Sequence, residues 1–430
     1  EMLRSLVGSE MCIRDRAGIG ELGIRATGFP ILVSNEMVEN RCQIYRENYP
    51  GVHNICGDIW EKEDEIIQAW NMYSTSEPFI VYATPPCQGM SSNGAGKLLH
   101  EVKKGNRKPE DSRNRLIIPT MHIVKKLHPI WLLLENVPTM NNTIISEETG
   151  NYINIIDYIQ RELGNEYVGR AQVVNCADYG IPQTRKRLIT IFTRDPKGKE
   201  YYRVNGTFLP KRTHSEEATL FTQKWVSLRD AIGSFPVLDA SKGKNERKDF
   251  HEWHFVPIMN KEKHWWMDNT KEGCTAYNNQ CVNPDCLFKG NRIHGSKMEN
   301  GTHTSKKDTP IYCEKCGKLL PRPTVIDKKT GIRRLIKGYD TAYRRMEWDK
   351  PAPTLTQNFL FEASDKKVHP SQTRVLSIYE ALVLQTIAEY DFRMMIDGKY
   401  ISKNLCAEVI GESVCLLYTS DAADEARSVD

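Results

Sequence analysis

Three short stretches supply a thiol, a carboxylate and two guanidinium groups. Thr84-Pro85-Pro86-Cys87-Gln88-Gly89 follows the apolar run Phe79-Ile80-Val81-Tyr82-Ala83, which predicts a buried strand. The paired prolines remove two backbone donors and fix two φ angles, so Cys87 stands on a stiff turn at a strand's carboxyl end. Open α/β sheets hold their ligands at that edge. A thiol there is a candidate nucleophile, because thiolate adds readily to soft electrophilic carbons. A small buried cysteine beside a turn is the plainer alternative. Leu132-Leu133-Leu134-Glu135-Asn136-Val137-Pro138 predicts a second strand, ending in the carboxylate of Glu135. Gln183-Thr184-Arg185-Lys186-Arg187 places Arg185 and Arg187 just before a third, Leu188-Ile189-Thr190-Ile191-Phe192.

A different chemistry stands further along. Cys281 and Cys286 are separated by four residues, and Cys313 and Cys316 by two, with 26 residues between the pairs. Two closely spaced thiol pairs suit tetrahedral zinc in a ribbon-like knuckle. Four thiolates leave no open position, so such a zinc is structural rather than catalytic. Unliganded thiols, or a site that exchanges in Cys274, are the alternatives.

Taken in order, Pro-Pro-Cys-Gln-Gly, Glu-Asn-Val-Pro and Gln-x-Arg-x-Arg closely resemble the motifs of the DNA (cytosine-5) methyltransferase family, over Ala17 to Val414. The resemblance implies S-adenosylmethionine-dependent methylation of cytosine carbon 5 in double-stranded DNA. It assigns Cys87 as the nucleophile toward ring carbon 6. Glu135 becomes the acid facing nitrogen 3 and the 4-amino group, and Arg187 with Arg185 holds the 2-oxygen and nearby phosphate. Such chemistry needs the base flipped out of the duplex. The segment from Gln88 to Asn114, small residues then Lys97, Lys103, Lys104, Arg107 and Lys108, reads as a lid closing on phosphate, with Gln88 and Ser91 near DNA. A solvated charge run is its plain alternative. Two other functions stay open: methylation of cytosine in transfer RNA, or a catalytically impaired zinc-dependent DNA-binding fragment.

The elements that must position these groups follow. Ala17-Gly18-Ile19-Gly20 resembles the family's glycine-rich first loop, with Gly18 and Gly20 letting the backbone approach the cofactor. Ile31-Leu32-Val33-Ser34-Asn35 leads to Glu36, expected at the ribose hydroxyls, and His53-Asn54-Ile55-Cys56-Gly57 leads to Asp58, expected at the adenine. Either acid alone reads more readily as a helix cap, but two in succession after a glycine turn reverse that preference. Pro85 is expected beside the same cofactor. The fold class is α/β: a doubly wound Rossmann-like catalytic domain at 17–200 and a smaller target-recognition domain at 201–393. The recognition domain would carry the zinc knuckle near 274–320, and a return segment at 394–414 would rejoin the catalytic domain. Thr354, in Pro351-Ala352-Pro353-Thr354-Leu355-Thr356, resembles the family's element near DNA. Arg374, Glu380 and Gln385 resemble its next, structural motif. Gly411-Glu412-Ser413-Val414 carries Glu where the family has Asn, which puts docking of the last helix in question.

Residues 1–16 and 415–430 read as translated sequencing-library adapter and are expected to be loosely packed. Met11-Cys12-Ile13-Arg14-Asp15 matches ATG TGT ATA AGA GAC, and the tail matches the reverse complement. The whole chain carries a formal charge of +4; without a tail bearing Arg427 against four acids, and a neutral head, the remainder is about +7. That mild basicity suits a polyanion partner. Thirteen Lys and Arg face five acids between Asp285 and Lys337, and Lys289, Arg292, Lys297, Lys306, Lys307, Arg333 and Arg334 are candidates to line DNA. No long apolar run predicts a membrane span. A monomer in a reducing cytoplasm is expected, bacterial or phage-derived, with a cognate restriction endonuclease as a partner the resemblance allows.

Overall fold

The computed structural model describes residues 10–13, 17–85, 112–299, 302–305, 308–338 and 340–414. Seven strands build the central sheet: β1 (Glu10–Ile13), β2 (Ile31–Glu36), β3 (His53–Cys56), β4 (Ile80–Ala83), β5 (Trp131–Asn136), β6 (Val168–Asn175) and β7 (Lys186–Thr193). Their order is β3-β2-β1-β4-β5-β7-β6. Neighbours are parallel from β3 to β5, and β7 runs antiparallel between β5 and β6. The chain winds outward from β1 to β3 and then restarts at β4 on the other side of β1. That switch leaves a crevice at the carboxyl ends of β1 and β4.

Strand side chains alternate between two cores, as a pleated strand buried on both faces requires. Met11, Ile13, Val81, Ala83, Leu132 and Leu134 face α3 (Ile59–Tyr73), α4 (Ile117–Leu127) and α5 (Ile155–Leu163). Cys12, Ile80, Tyr82, Trp131 and Leu133 share the opposite core with α1 (Ile19–Ala26) and α2 (Glu39–Asn48). The chain then forms α6 (Pro196–Asn205), α7 (Leu228–Ile232), α8 (Lys261–Asp268), α9 (Ile378–Leu384) and α10 (Lys403–Glu412). Residues of α9 and α10 return to that second core, so the end of the described chain belongs to the sheet's packing. Trp266, Met267, Ala276, Tyr277, Ala342, Tyr343 and Val368 form a smaller, separate core in the second half of the chain.

Residues 10–13 correct one expectation. Read as part of a loosely packed head, they instead form an interior strand of the sheet, paired on both sides, with Met11, Cys12 and Ile13 at most 1% exposed. The slot between β2 and β4 demands a short apolar segment leading directly into the Gly18 turn, and Met-Cys-Ile meets that demand. Glu10 fits it poorly. Burial, and secondarily the nearby Glu21, pushes its carboxyl well above the usual range.

The last helix is docked, with the unusual Glu412 taking part. Arg41 on α2 pairs with Glu412 at 2.9 Å and with Glu408. Gly411 permits the approach: a Cβ there would lie 2.2 Å from the backbone of Thr356 and Gln357.

The start of α9 carries a buried ion pair. Arg374 donates two hydrogen bonds of 2.7 Å to Glu380, whose carboxylate also accepts from the Ser377 backbone, and both side chains are at most 1% exposed. Burial alone would raise the Glu380 pKa, but Arg374 more than offsets it and holds the carboxyl at about 2. A depressed pKa contributes stability above the unfolded carboxylate value, and the contribution is lost as pH falls through about 2. Glu380→Gln is therefore expected to lower unfolding free energy by about 3 kcal/mol at pH 7. Urea titrations at successive pH values should show the deficit shrinking below about pH 4.5.

Candidate active site

The crevice begins at Gly18, which caps α1 with φ 92°. Only glycine takes this conformation without strain, and a Cβ there would stand 2.4 Å from the Tyr49 ring. Tyr49 closes the turn by donating to the Gly18 carbonyl at 2.6 Å. Gly20, the second residue of α1, lies against the Tyr82 hydroxyl, where a Cβ would stand 3.0 Å away. Glu36 ends β2, 1% exposed, with Oε1 accepting from the backbone N–H groups of Met37 and Val38 at 2.8 and 2.9 Å. Asp58 caps α3, accepting from Trp60 N–H at 3.1 Å. Asp58 thus does serve a helix start, whereas Glu36 binds the backbone of the two residues that precede α2, whose N-cap is Val38.

Across the switch point stands the second half of the site. Glu135 is the penultimate residue of β5 and is 1% exposed. Arg187, beginning β7 opposite Val174 of β6, brings Nε to 2.7 Å from Glu135 Oε1. An acid buried at a strand end needs such a partner, since an uncompensated buried charge costs several kcal/mol. Next in the chain, Asn136 is equally buried. Its amide donates to the Pro85 carbonyl at 3.0 Å, and its oxygen accepts from Val137 N–H at 2.8 Å. Asn136 therefore ties the end of β5 to the loop leaving β4. Sequence reading passed over it. The available signal was an amide at a strand end beside an acid, which must find partners once buried.

Arg185 is placed elsewhere. Its guanidinium, 1% exposed, donates to Leu355 O at 2.8 Å and Ser413 O at 2.6 Å, joining the Thr354 segment to the end of α10. The structure thus brings Glu135, Arg187 and Pro85 together but turns Arg185 toward the packing of the second half. Gln183 assists, accepting from Leu355 N–H and donating to Leu384 O. Thr354 donates its hydroxyl to Thr184 O at 2.9 Å. Cys87, Gln88 and Ser91 lie outside the described residues, as does the lid segment apart from Ser112–Asn114.

The four expected zinc ligands do converge. The sulfurs of Cys281, Cys286, Cys313 and Cys316 all lie within 4.8 Å of one another. Cys281 and Cys316 are 3.7 Å apart, and Cys286 and Cys313 3.9 Å. Sulfurs bound at about 2.3 Å to one tetrahedral zinc stand roughly 3.8 Å apart, so the donor set fits that ion. Burial pushes the Cys313 thiol up, but the backbone N–H groups of Cys316 and Lys315 and the neighbouring thiols outweigh it, holding its pKa at about 6. Buried Arg322 braces the surrounding loops by donating to Asn279 O, Arg292 O and Pro310 O. Of the basic residues expected to line DNA, Arg292 pairs with Glu314, Arg333 with Glu262 and Arg334 with Asp327. Lys306 and Lys307 lie outside the described residues.

A sheet of this order, with a glycine turn after β1 and acids after β2 and β3, defines a doubly wound α/β fold with its ligand crevice at the switch point. The chain belongs to the C-5 cytosine-specific DNA methylase family, whose sequence profile matches residues 13–425. It is a DNA cytosine methyltransferase. It is 27% identical over 425 residues to the type II methyltransferase M1.HgaI of Avibacterium volantium, covering 96% of each chain. It is 31% identical over 227 residues to M1.HphI of Haemophilus parahaemolyticus, covering 53% of this chain and 52% of that one. The fold resembles a solved methyltransferase encoded in an Escherichia coli prophage, with TM-score 0.53, 19% identity and coverage of 98% and 99%. It also resembles Spodoptera frugiperda DNMT2, with TM-score 0.51, 13% identity and the same coverage. Among the described residues no helix is long and apolar enough to cross a membrane.

Proposed function

We propose that this enzyme modifies cytosine within a short duplex site, with Cys87 as nucleophile and Glu135 and Arg187 as the groups that hold the base. The buried Glu135–Arg187 pair at the carboxyl end of β5, tethered through Asn136 to the loop that leads into Cys87, carries the reading. The Cys87 thiolate adds to ring carbon 6, forming a carbon–sulfur bond and making carbon 5 nucleophilic. Charge builds toward nitrogen 3, where Glu135, once it has taken up a proton, donates a hydrogen bond, and Arg187 keeps the carboxyl oriented while facing the 2-oxygen. S-adenosylmethionine supplies the methyl group. Gly18, Gly20 and Pro85 would shape its pocket, and Glu36 and Asp58 would accept from its ribose hydroxyls and adenine amino group. Loss of the carbon 5 proton, to water, expels the thiolate and restores the ring.

One zinc held by Cys281, Cys286, Cys313 and Cys316 stabilises the recognition half, which reads the target. The protein works as a cytoplasmic monomer, paired with a restriction endonuclease of the same specificity. Bisulfite sequencing of DNA from cells expressing the protein tests the reaction and its context together. Duplex DNA carrying 5-fluorocytosine should trap the enzyme as a denaturant-resistant adduct when S-adenosylmethionine is present. Unmodified DNA with no adduct would sink the reading.

A further inference from the structure

Leu220 and Phe221 are the two most exposed large apolar side chains among the described residues, at 96% and 92%. Two adjacent residues so placed are unlike scattered surface apolars, which need no explanation. They sit at the tip of a turn that is held tightly. Thr219 N–H donates to Thr222 O, Ser215 Oγ lies 2.5 Å from Thr222 Oγ1, and Thr219 Oγ1 lies 2.7 Å from the same hydroxyl. Ser215 also donates to Glu217 O. The tip is therefore presented in a set conformation.

The root of the turn is fixed to the active edge of the sheet. Thr213 N–H donates to Asp178 O, Trp225 Nε1 donates to the Asp178 carboxylate at 2.9 Å, and Arg212 pairs with that carboxylate at 3.4 Å. Asp178 belongs to the turn that follows β6, whose last residue, Asn175, pairs with Lys186 beside Arg187. The turn thus rises from the edge where the target base must arrive. Lys211, Arg212 and Lys224 flank its root, all exposed, against Glu216 and Glu217.

We propose that Leu220 and Phe221 form an apolar wedge that contacts the bases of duplex DNA beside the target, while the three cations at the root meet the backbone. The inference rests on the DNA methyltransferase reading and adds a contact to it. An enzyme that extracts a base must offset lost stacking, and apolar side chains entering an opened step do so. The cations supply the sequence-independent attraction to phosphate.

The test compares wild type with a Leu220→Ser/Phe221→Ser double variant, whose substitutions are solvent-exposed and should leave Tm unchanged. Fluorescence anisotropy with a labelled duplex substrate should show Kd raised about tenfold, the scale of one lost stacking contact. Binding of S-adenosylmethionine should not change. In a second measurement, Phe221→Trp should show indole emission quenched by saturating duplex DNA, relative to wild type under the same conditions. Unchanged Kd in the double variant, or no quenching at saturation, overturns the wedge while leaving the enzyme's function intact. Light scattering that shows the double substitution abolishing self-association, with DNA affinity unchanged, also overturns it and gives the turn to a second copy of the chain. Failure of wild type itself to bind or methylate duplex DNA overturns both readings.

Discussion

Glu135→Gln is expected to lower kcat by about 10²–10³-fold, the loss seen when one preorganised hydrogen-bonding group is removed from a transition state. The side chain keeps its shape but no longer supplies an acid to nitrogen 3, and Arg187 loses its charge partner at 2.7 Å. Affinity for S-adenosylmethionine should be little changed, because the cofactor residues other than Pro85 follow β1 to β3, across the switch point. Arg187→Gln should cost a similar amount, and the double variant little more than either single one, since the two groups act as a unit. Single-turnover methylation of a defined duplex measures all three. Fully additive losses would show that Arg187 and Glu135 act separately. Cys87→Ser should abolish the trapped 5-fluorocytosine adduct, and an adduct that persists would move the nucleophile elsewhere.

How far these roles could be read from residues alone depended on which interactions were local. Strands β2, β4 and β5 were legible as apolar runs ending in a polar or turn signal, and β3, His53–Cys56, by the glycine and acid that follow it. β6, Val168–Asn175, has a more exposed and polar pattern, and β1 lay in a segment set aside as foreign to the fold. Glu135 and Arg187 met as the motifs implied, because adjacent strands carry them to one edge. Arg185 did not follow Arg187, although two residues apart on a strand would place both on one face. The ladder is interrupted there: Gln183 and Thr184 pair with Ala352 and Pro353, and pairing with β5 and β6 resumes only at Lys186 and Leu188. That change of partner frees Arg185 to reach Leu355 and Ser413. Charge counting was incomplete for a related reason. It registered the excess of cations between Asp285 and Lys337 but could not show that Arg292, Arg333 and Arg334 have acids in reach, one of them Glu262 outside that window.

Removing zinc should have the largest effect on the recognition half. The thiol cluster has only a slight core of its own, Cys281, Cys313 and Leu320 with Cys286 and Phe288 against them. Structural zinc in small domains contributes about 10–16 kcal/mol of apparent binding free energy, far more than such a core can supply. Metal analysis should find about one zinc per chain, lost on chelation or with Cys313→Ser. Buried Arg322 carries the disturbance outward, because its three carbonyl acceptors lie on loops around the cluster and include Asn279, whose own amide donates to Trp266 O in the neighbouring core. Binding to the target duplex should therefore collapse, whereas the sheet, with separate cores built from β1 to β7, should still bind S-adenosylmethionine. Calorimetric titration of cofactor and of duplex DNA into the same metal-free protein separates the two. A metal-free chain that binds its target duplex as tightly as before would show that the four thiols hold no structural ion.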